Sequence, residues 1–339
     1  MRGPQSNTPN QPDLMDSAET ARAKPSGSAE CPVCGGTGAY FGCFGDTFYR
    51  VTDYRADLFR CATCRSHFIW PQPTREAIAA FYPTGYWRER EASPGLLTRA
   101  QSRYVDLMLN WDLMSWVRRM NLPAGAHYLD IGCSRGDWLA LIRRAGFQVE
   151  GIEADPRAAA YARDHHGISV SEVDVDEWSP EPGSYDAISF FHLLEHLRKP
   201  RRLLATCHGA LRPGGKILLR VPNFSSWQGR LFGARWKGLE IPRHLLHFHP
   251  RALAALVERE GFVVERLSTW ALRDGPPAAA SSLYPDGEPT RREILGRQGA
   301  FPVLIYLGLT WMLTPLERLA ALCGQGSMTT LIARRKGGA

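Results

Sequence analysis

The segment Tyr128–Leu139 constrains the fold more than any other part of this chain. Its sequence, YLDIGCSRGDWL, is a short apolar strand, a turn between two glycines and the start of a helix. Glycine at 132 and 136 lets the backbone approach a ligand closely, and the first helical turn offers free N–H groups to an anionic group. The spacing Gly-x-x-x-Gly differs from the Gly-x-Gly-x-x-Gly of dinucleotide-binding folds. The pattern predicts a ligand site at the carboxyl end of a strand.

Strands and helices alternate after this segment. Such alternation predicts an α/β fold whose parallel sheet is covered by helices on both faces. The predicted strands are 127–131, 149–153, 169–173, 187–191, 216–221, 262–270 and 329–333. The predicted helices between them are 138–144, 156–166, 201–211 and 251–260.

Five ordered motifs resemble those of the class I S-adenosylmethionine-dependent methyltransferases, and the resemblance covers residues 126–270 and the final strand. The motifs are LDIGCSRG, GIEADP, EVDVDEW, SYDAISFFHLLEHL and LRPGGKILLRVPN. The resemblance implies a Rossmann-like methyltransferase sheet of seven strands with the last one antiparallel, and S-adenosyl-L-methionine as the cofactor. One departure from the family is Ser134, which stands where a third glycine is usual.

The resemblance also assigns cofactor-binding roles to residues of this sequence. Asp130 and Gly132 would lie near the methionyl ammonium, Ser134 and Gly136 in the turn, and Glu153 on the ribose. Asp174 and Val175 would lie beside the adenine. His192 would stand at the mouth of the site.

Four cysteines form two CxxC pairs, Cys31/Cys34 and Cys61/Cys64. Each pair presents two thiolates from one turn, and two such turns complete a tetrahedral structural Zn²⁺ site. The pairs lie 26 residues apart. This spacing predicts a small zinc-ribbon-like module, with four free thiols as the alternative. Cys43 and His67 are weaker substitutes for a ligand.

Several histidines could remove a proton from a methyl acceptor. His192, Glu195, His196, His244 and His247 follow the fourth and fifth predicted strands, at the sheet edge where ligands bind. We prefer His244 as the base and expect His196 to orient the turn. The run His192–His196 also fits the H-x-x-E-H pattern of zinc proteases, but that chemistry needs the pattern inside a helix, whereas here it follows a strand directly.

The predicted organisation has six parts. They are a disordered tail (1–29), the zinc module (30–73), a helical connector beginning at the N-cap Thr74 (74–125), the cofactor core (126–274), a loop and apolar helical insert (275–324), and the final strand with a basic tail (325–339). Residues 274–298 read as a loop because they are rich in Pro, Gly, Ser and charge.

The net charge of +7 is uneven along the chain. Residues 290–339 hold seven basic and two acidic residues, which gives +5 and leaves +2 for the rest. The same region contains 18 uncharged residues, 299–316. These predict either a buried helix or dimer face, or a helix that dips into an anionic membrane surface between basic flanks. The flanking residues are Arg291, Arg292, Arg297, Arg318, Arg334, Arg335 and Lys336.

Taken together, the sequence predicts a methyltransferase that acts on a small-molecule, sugar or lipid-linked acceptor, by O- or C-methylation. With no export signal, we expect it in the cytoplasm, with peripheral membrane contact through residues 299–324 and with oligomer formation left open. An alternative is an rRNA methyltransferase that grips RNA with its zinc module. Nucleic acid is disfavoured because the charges of that module are nearly balanced. Its basic residues Arg50, Arg55, Arg60 and Arg65 are offset in number by Asp46, Asp53 and Asp57. A second alternative is a non-catalytic binding module.

Overall fold

The computed structural model describes residues 28–82 and 111–337. Residues 1–27 of the predicted tail and residues 83–110 of the predicted connector therefore lie outside the described residues, whereas Ala29, predicted to belong to the tail, is buried in the first strand. The strands are β1 (Ala29–Glu30), β2 (Thr37–Gly45), β3 (Arg55–Cys61), β4 (His67–Ile69), β5 (His127–Ile131), β6 (Gln148–Ile152), β7 (Ser169–Ser171), β8 (Tyr185–Phe191), β9 (Leu211–Pro222), β10 (Leu246–His247), β11 (Phe262–Ser268) and β12 (Met328–Arg335). The helices are α1 (Arg75–Ala80), α2 (111–120), α3 (Asp137–Arg144), α4 (Pro156–His166), α5 (Pro200–Ala210), α6 (Trp227–Phe232), α7 (Pro250–Arg259), α8 (Gly275–Leu283), α9 (Pro289–Ile294) and α10 (Phe301–Leu322).

A seven-stranded sheet forms the centre of the larger part of the molecule. Its strand order is β11-β12-β9-β8-β5-β6-β7. The pairs from β9 to β7 are parallel, and β12 runs antiparallel to both of its neighbours. The prediction of a Rossmann-like α/β sheet with only the last strand reversed is confirmed. The central strands are buried because helices cover the sheet, which explains their nearly continuous apolar sequences.

A second sheet of five strands, called the small sheet below, carries the two Cys pairs in its strands and turns, and it includes a strand from the core. Its order is β1-β2-β3-β4-β10. In β10, Leu246 pairs with Phe68 and His247 with His67. A buried ion pair, with Arg243 Nη2 3.1 Å from Asp46 Oδ1, joins the same two regions. The zinc module of the sequence analysis is thus completed by a strand contributed by the core.

The segment 274–298 was predicted to be a loop, and that prediction is wrong. It forms α8 and α9, which a short 3₁₀ turn separates. Prolines stand in the first turn of both helices, where they are compatible with helical geometry because the missing N–H has no helical acceptor there. The Ala- and Ser-rich face of α8 is buried, so packing stabilises a helix that its local sequence does not signal.

The apolar insert forms one helix, α10, of 22 residues with Pro315 inside it. Among the described residues, it is the helix that is long and apolar enough to cross a membrane. Only 17% of its most apolar 18-residue window is buried, so the helix is not buried within the described chain. The predicted dimer face and the predicted membrane contact both stay predictions. Its buried residues are Tyr306, Thr310 and Glu317. The exposed side is a large apolar surface.

The basic residues predicted to flank this insert are mostly engaged within the protein. Arg291 and Arg292 are buried, and Arg292 Nη1 donates to the Asp286 carbonyl at 2.9 Å. Arg334 Nε donates to Glu265 Oε1 at 2.9 Å. Arg318 lies over the ring of Trp270. Tertiary partners therefore use most of these side chains, which leaves less free positive charge around α10 than the sequence alone suggests.

Candidate active site

The turn after β5 has the backbone conformation that the glycine spacing predicted. Gly132, Ser134 and Gly136 all have positive φ, at 74°, 49° and 74°. A Cβ on Gly136 would lie 2.9 Å from the Cβ of Ala162, so glycine is needed there for packing as well as for conformation. Ser134 adopts a conformation that favours glycine, and its position therefore carries backbone strain.

Glu153 is positioned against this turn. Its Oε2 accepts the backbone N–H of Ser134 at 2.8 Å, and its Oε1 accepts that of Asp155 at 2.9 Å. The residue follows β6, which is paired with β5, so both strands end at the same sheet edge. The structure thus brings together the turn and the acidic residue that the motifs assigned to one ligand.

Asp130 is a buried carboxyl group at the end of β5. The hydroxyl of Ser189, on the neighbouring strand β8, donates a hydrogen bond to its Oδ1. Burial raises the pKa of Asp130 to about 7, the Ser189 hydrogen bond opposes this rise, and the charge of Glu153 adds to it. Asp130 is therefore poised to ionise near neutral pH when a cation approaches.

The predicted adenine-side residues lie in the loop after β7. Arg75, on α1, places Nη2 2.7 Å from Asp174 Oδ2 and Nη1 3.1 Å from Glu177 Oε1. Asp174 Oδ1 also accepts the N–H of Asp176 at 2.8 Å. Val175 is half-buried and packs against the main apolar core. These ion pairs of Arg75 link the loop to α1.

His192 is placed directly after β8 between two carboxylates. Its Nε2 lies 3.5 Å from Asp274 Oδ2, and its Nδ1 lies 3.5 Å from Glu195 Oε1. About one third of its side chain, 34%, is exposed. Burial alone would lower the pKa of His192, but the contacts with Asp274 and Glu195 raise it to about 9. The ring therefore has a high proton affinity and an accessible face.

Sequence reasoning missed the charged residues that hold His192 in place. Arg220 on β9 is fully buried, and its Nη1 lies 2.7 Å from Asp274 Oδ2 and 2.9 Å from Asp112 Oδ2. Arg220 Nε donates to Thr330 Oγ1 at 2.8 Å. These groups come from α2, β9, β12 and the loop before α8, so local spacing could not reveal them. The one available signal was an arginine inside the apolar run KILLRV.

His244, the preferred base of the sequence analysis, is in the interior. It is 5% exposed, and its Nδ1 lies 3.0 Å from the Gly238 carbonyl. Burial, assisted by the neighbouring His196, lowers the pKa of His244 to about 3. The ring centroids of His196 and His244 are 4.7 Å apart. The structure thus places His196, which is half-buried, against the buried His244, and His192 apart from this pair.

The four predicted metal-binding cysteines converge in the small sheet. The Sγ atoms of Cys31 and Cys64 are 3.7 Å apart, those of Cys34 and Cys61 are 3.5 Å apart, and all four lie within 4.8 Å of one another. Zn–S bonds of about 2.3 Å in a tetrahedron separate the sulfur atoms by about 3.8 Å. The four thiols therefore fit a Zn²⁺ ion without rearrangement.

Comparisons with known proteins identify relatives of the α/β core that contains the glycine turn. Residues 107–267 match the family described as a methyltransferase domain, a range that begins after both Cys pairs. The ubiquinone biosynthesis O-methyltransferase of Xanthomonas axonopodis pv. citri is 31% identical over 158 residues, which are 43% of this chain. That match spans 66% of the relative, slightly less than two thirds of its length.

Two solved structures are also similar to this chain. An S-adenosylmethionine-dependent methyltransferase from Mesorhizobium loti is 20% identical, over 68% of this chain and 100% of that chain, with a TM-score of 0.45. A phosphoethanolamine N-methyltransferase from Haemonchus contortus, in complex with S-adenosyl-L-methionine, is 16% identical, over 66% of this chain and 52% of that chain, with a TM-score of 0.48.

Proposed function

We propose that this chain, which belongs to the class I S-adenosylmethionine-dependent methyltransferases, methylates a hydroxyl group of a small apolar or lipid-linked acceptor. The observation that carries the proposal is His192, an accessible imidazole held between two carboxylates at the carboxyl end of β8. The acceptor class is supported by the curated relatives, whose name describes O-methylation in ubiquinone biosynthesis. The exposed apolar side of α10 is consistent with an acceptor that resides in a membrane.

The residues that would hold the cofactor surround the turn after β5. Asp130 would face the methionyl ammonium, and the backbone of Gly132 to Gly136 would line the methionine moiety. Glu153 would accept hydrogen bonds from the ribose hydroxyls. The raised pKa of Asp130 fits this role, because a buried carboxyl group with a single hydroxyl partner gains a cation when the ammonium binds. When bound, S-adenosylmethionine supplies an electrophilic methyl group on a sulfonium.

In its neutral form, which the pKa of about 9 makes the minority form at neutral pH, His192 would accept the proton of the acceptor hydroxyl. Asp274 and Glu195 would stabilise the imidazolium that forms, and Arg220 fixes Asp274 in place. We assign this role to His192 and not to His244, because the His244 ring is buried and its Nδ1 is already hydrogen-bonded. Proton transfer of this kind contributes about 10²- to 10⁴-fold to a rate.

Transfer of a labelled methyl group tests this proposal. Extracts of the native organism with the gene deleted are incubated with the intact chain and methyl-labelled S-adenosylmethionine, and then separated into organic, aqueous and RNA fractions. We expect label in the organic fraction, and about 10²-fold slower transfer with His192→Gln at an unchanged cofactor Kd. Label in the RNA fraction alone, or cofactor binding without any transfer, would contradict the proposal.

We also propose that the four cysteines hold a structural Zn²⁺ ion. The short Sγ–Sγ distances support it, as do the backbone N–H groups of Gly36 and Cys64, which point at Cys34 and Cys61. Metal analysis of the purified chain should give zinc that Cys31→Ser removes and Cys43→Ser leaves. Cys43 is the matched control because it lies in the same sheet outside the cluster. Equal zinc in both variants would overturn the assignment.

A second candidate acceptor, RNA, is favoured by one feature of the small sheet. Arg50, Arg55, Arg60 and Arg65 are all exposed, whereas Asp46 and Asp57 are buried. The surface is therefore more basic than the sequence count suggested. A steep fall of RNA affinity with salt, reduced by replacing Arg60 and Arg65 with Gln, would support this reading. An RNA affinity that does not change with salt concentration would rule out RNA as the acceptor.

A further inference from the structure

We propose that Glu195, His196 and His244 bind a divalent metal ion, separate from the ion held by the cysteines. Glu195 and His196 lie in the 3₁₀ turn after β8, and His244 lies in the segment that leads to β10. Each of the three offers one ligand atom, and these atoms lie within 4.8 Å of one another. Glu195 is 1% exposed and His244 is 5% exposed, whereas His196 is half-buried, so two of the three ligands are shielded from bulk water.

Backbone carbonyls fix which nitrogen of each histidine faces the cluster. His244 Nδ1 lies 3.0 Å from the Gly238 carbonyl, and His196 Nδ1 lies 3.0 Å from the Arg243 carbonyl. A carbonyl oxygen only accepts hydrogen bonds, so Nδ1 carries the proton in both neutral rings. The Tyr82 hydroxyl, 3.0 Å from His196 Nδ1, can accept from the same N–H. Each Nε2 is then left with a lone pair. Histidine ligands of metals are usually oriented in this way, by a carbonyl on the other ring nitrogen.

Glu195 supplies the negative charge of the cluster. Both of its carboxylate oxygens are buried without a hydrogen bond in the part of the chain that the structure describes. The contact with His192 Nδ1, at 3.5 Å, is an ion pair beyond ordinary hydrogen-bond length. A buried carboxylate without a donor is costly, and two converging lone pairs add to that cost. One shared cation would satisfy all three groups.

The donor set indicates the kind of ion. Two imidazole nitrogens and one carboxylate oxygen suit Zn²⁺, Mn²⁺ or Fe²⁺ and leave positions for water or another ligand. The site differs in this respect from the four cysteines, whose thiolates prefer softer ions.

The structure also changes the interpretation of the H-x-x-E-H run. His192 turns its Nε2 towards Asp274, and His244 from a distant segment takes its place beside Glu195 and His196.

Titration with Mn²⁺ of the intact chain, loaded with one equivalent of zinc for the four cysteines, tests the proposal without cofactor or acceptor. The signal of free Mn²⁺ in electron paramagnetic resonance reports binding, and Co²⁺ absorption provides a second probe. We expect one ion per chain, and at least tenfold weaker binding for Glu195→Gln and for His244→Gln. His247→Gln is the matched control, since His247 is a buried histidine nearby whose Nε2 is hydrogen-bonded to the Leu239 carbonyl. It should bind the ion as the unmodified chain does.

The outcomes separate this site from the proposed reaction. If neither Mn²⁺ nor Co²⁺ binds, or if Glu195→Gln binds as tightly as the unmodified chain, the metal site is wrong. Circular dichroism of each variant shows whether lost binding reflects lost folding, and a variant that unfolds is replaced by Glu195→Asp, which retains the charge and moves it. Binding of the ion by a chain that transfers no methyl group would leave the site intact and overturn only the proposed function.

Discussion

At the scale of single residues, Ser134 shows how the cofactor turn departs from its family pattern. Its φ of 49° is one that glycine adopts without steric cost. Its N–H donates to Glu153, and this hydrogen bond does not depend on the side chain. We therefore expect Ser134→Gly to stabilise the protein by about 0.5 kcal/mol, as measured by urea unfolding. Ser169→Gly, in the regular strand β7, is the control and should destabilise it by about 0.5–1 kcal/mol. Loss of stability in both variants would contradict the reading of strain.

We expect Asp130 to make cofactor binding dependent on pH, through its proposed contact with the methionyl ammonium. The pKa of about 7 means that the carboxyl group is largely protonated below neutral pH, whereas a bound ammonium requires the carboxylate. We expect the Kd for S-adenosylmethionine to fall by about tenfold from pH 5.5 to pH 7, as measured by calorimetry. Asp130→Asn should bind weakly, with a flat profile. The same shift lowers the stability of the unliganded protein as the pH rises towards 7, because the unfolded carboxyl group ionises near 3.8. An unchanged Kd over this range would refute the assigned role.

At the scale of elements, one buried carboxylate anchors α10 to the core. Glu317 Oε2 accepts from Trp227 Nε1 at 2.6 Å and Gln228 Nε2 at 2.8 Å, and Oε1 accepts from the N–H and hydroxyl of Ser327 at 2.6 and 2.7 Å. Glu317→Ala would leave these donors buried and unpaired, and should cost about 3 kcal/mol in thermal or urea unfolding. Glu293→Ala, at an exposed position on α9, should change stability by less than about 0.5 kcal/mol. Equal effects of the two substitutions would show that the anchor is not needed.

Predictability from sequence also differs between elements. The strands β5 to β9, β11 and β12 could be predicted because apolar runs and glycine turns repeat in a fixed order along the chain. In contrast, β10 has only two residues, and its pairing with β4 depends on contacts between segments about 180 residues apart. Among the site residues, those of the glycine turn share one local motif, whereas Arg220, Asp274 and His244 meet their partners only through the tertiary fold.

At the scale of the whole molecule, the small sheet and the candidate site form one connected structure. The Cys cluster fixes the hairpins that present β4, β4 pairs with β10, and the segment just before β10 supplies His244. The buried Arg243–Asp46 ion pair reinforces the same junction, and Arg291 reaches across to the Phe48 carbonyl at 2.6 Å. The cysteines are therefore linked to the segment that carries His244 without contacting either the glycine turn or His192.

The exposed face of α10 carries eight of the 17 exposed large apolar side chains among the described residues, and we expect it to contact a lipid bilayer. Trp311 and Leu319 are 67% and 62% exposed, and the helix is uncharged over residues 301–316. A full membrane span is excluded because α10 leads directly into β12, which lies inside the central sheet. The contact must then be peripheral, with the helix lying at the interface. Because most nearby arginines are paired within the protein, binding should depend on burial of apolar surface more than on lipid charge.

Flotation with phosphatidylethanolamine–phosphatidylglycerol vesicles checks this expectation. Removing a Trp and a Leu from the buried area forfeits about 3 kcal/mol, so Trp311→Gln with Leu319→Gln should lower partitioning by about 100-fold. These substitutions keep the Glu317 anchor, which deletion of residues 299–324 would destroy. Leu231→Gln, at an exposed apolar position on α6, is the control and should partition like the unmodified chain. If the double variant instead converts a dimer to a monomer with no change in flotation, the face binds a second copy of the chain and not a membrane.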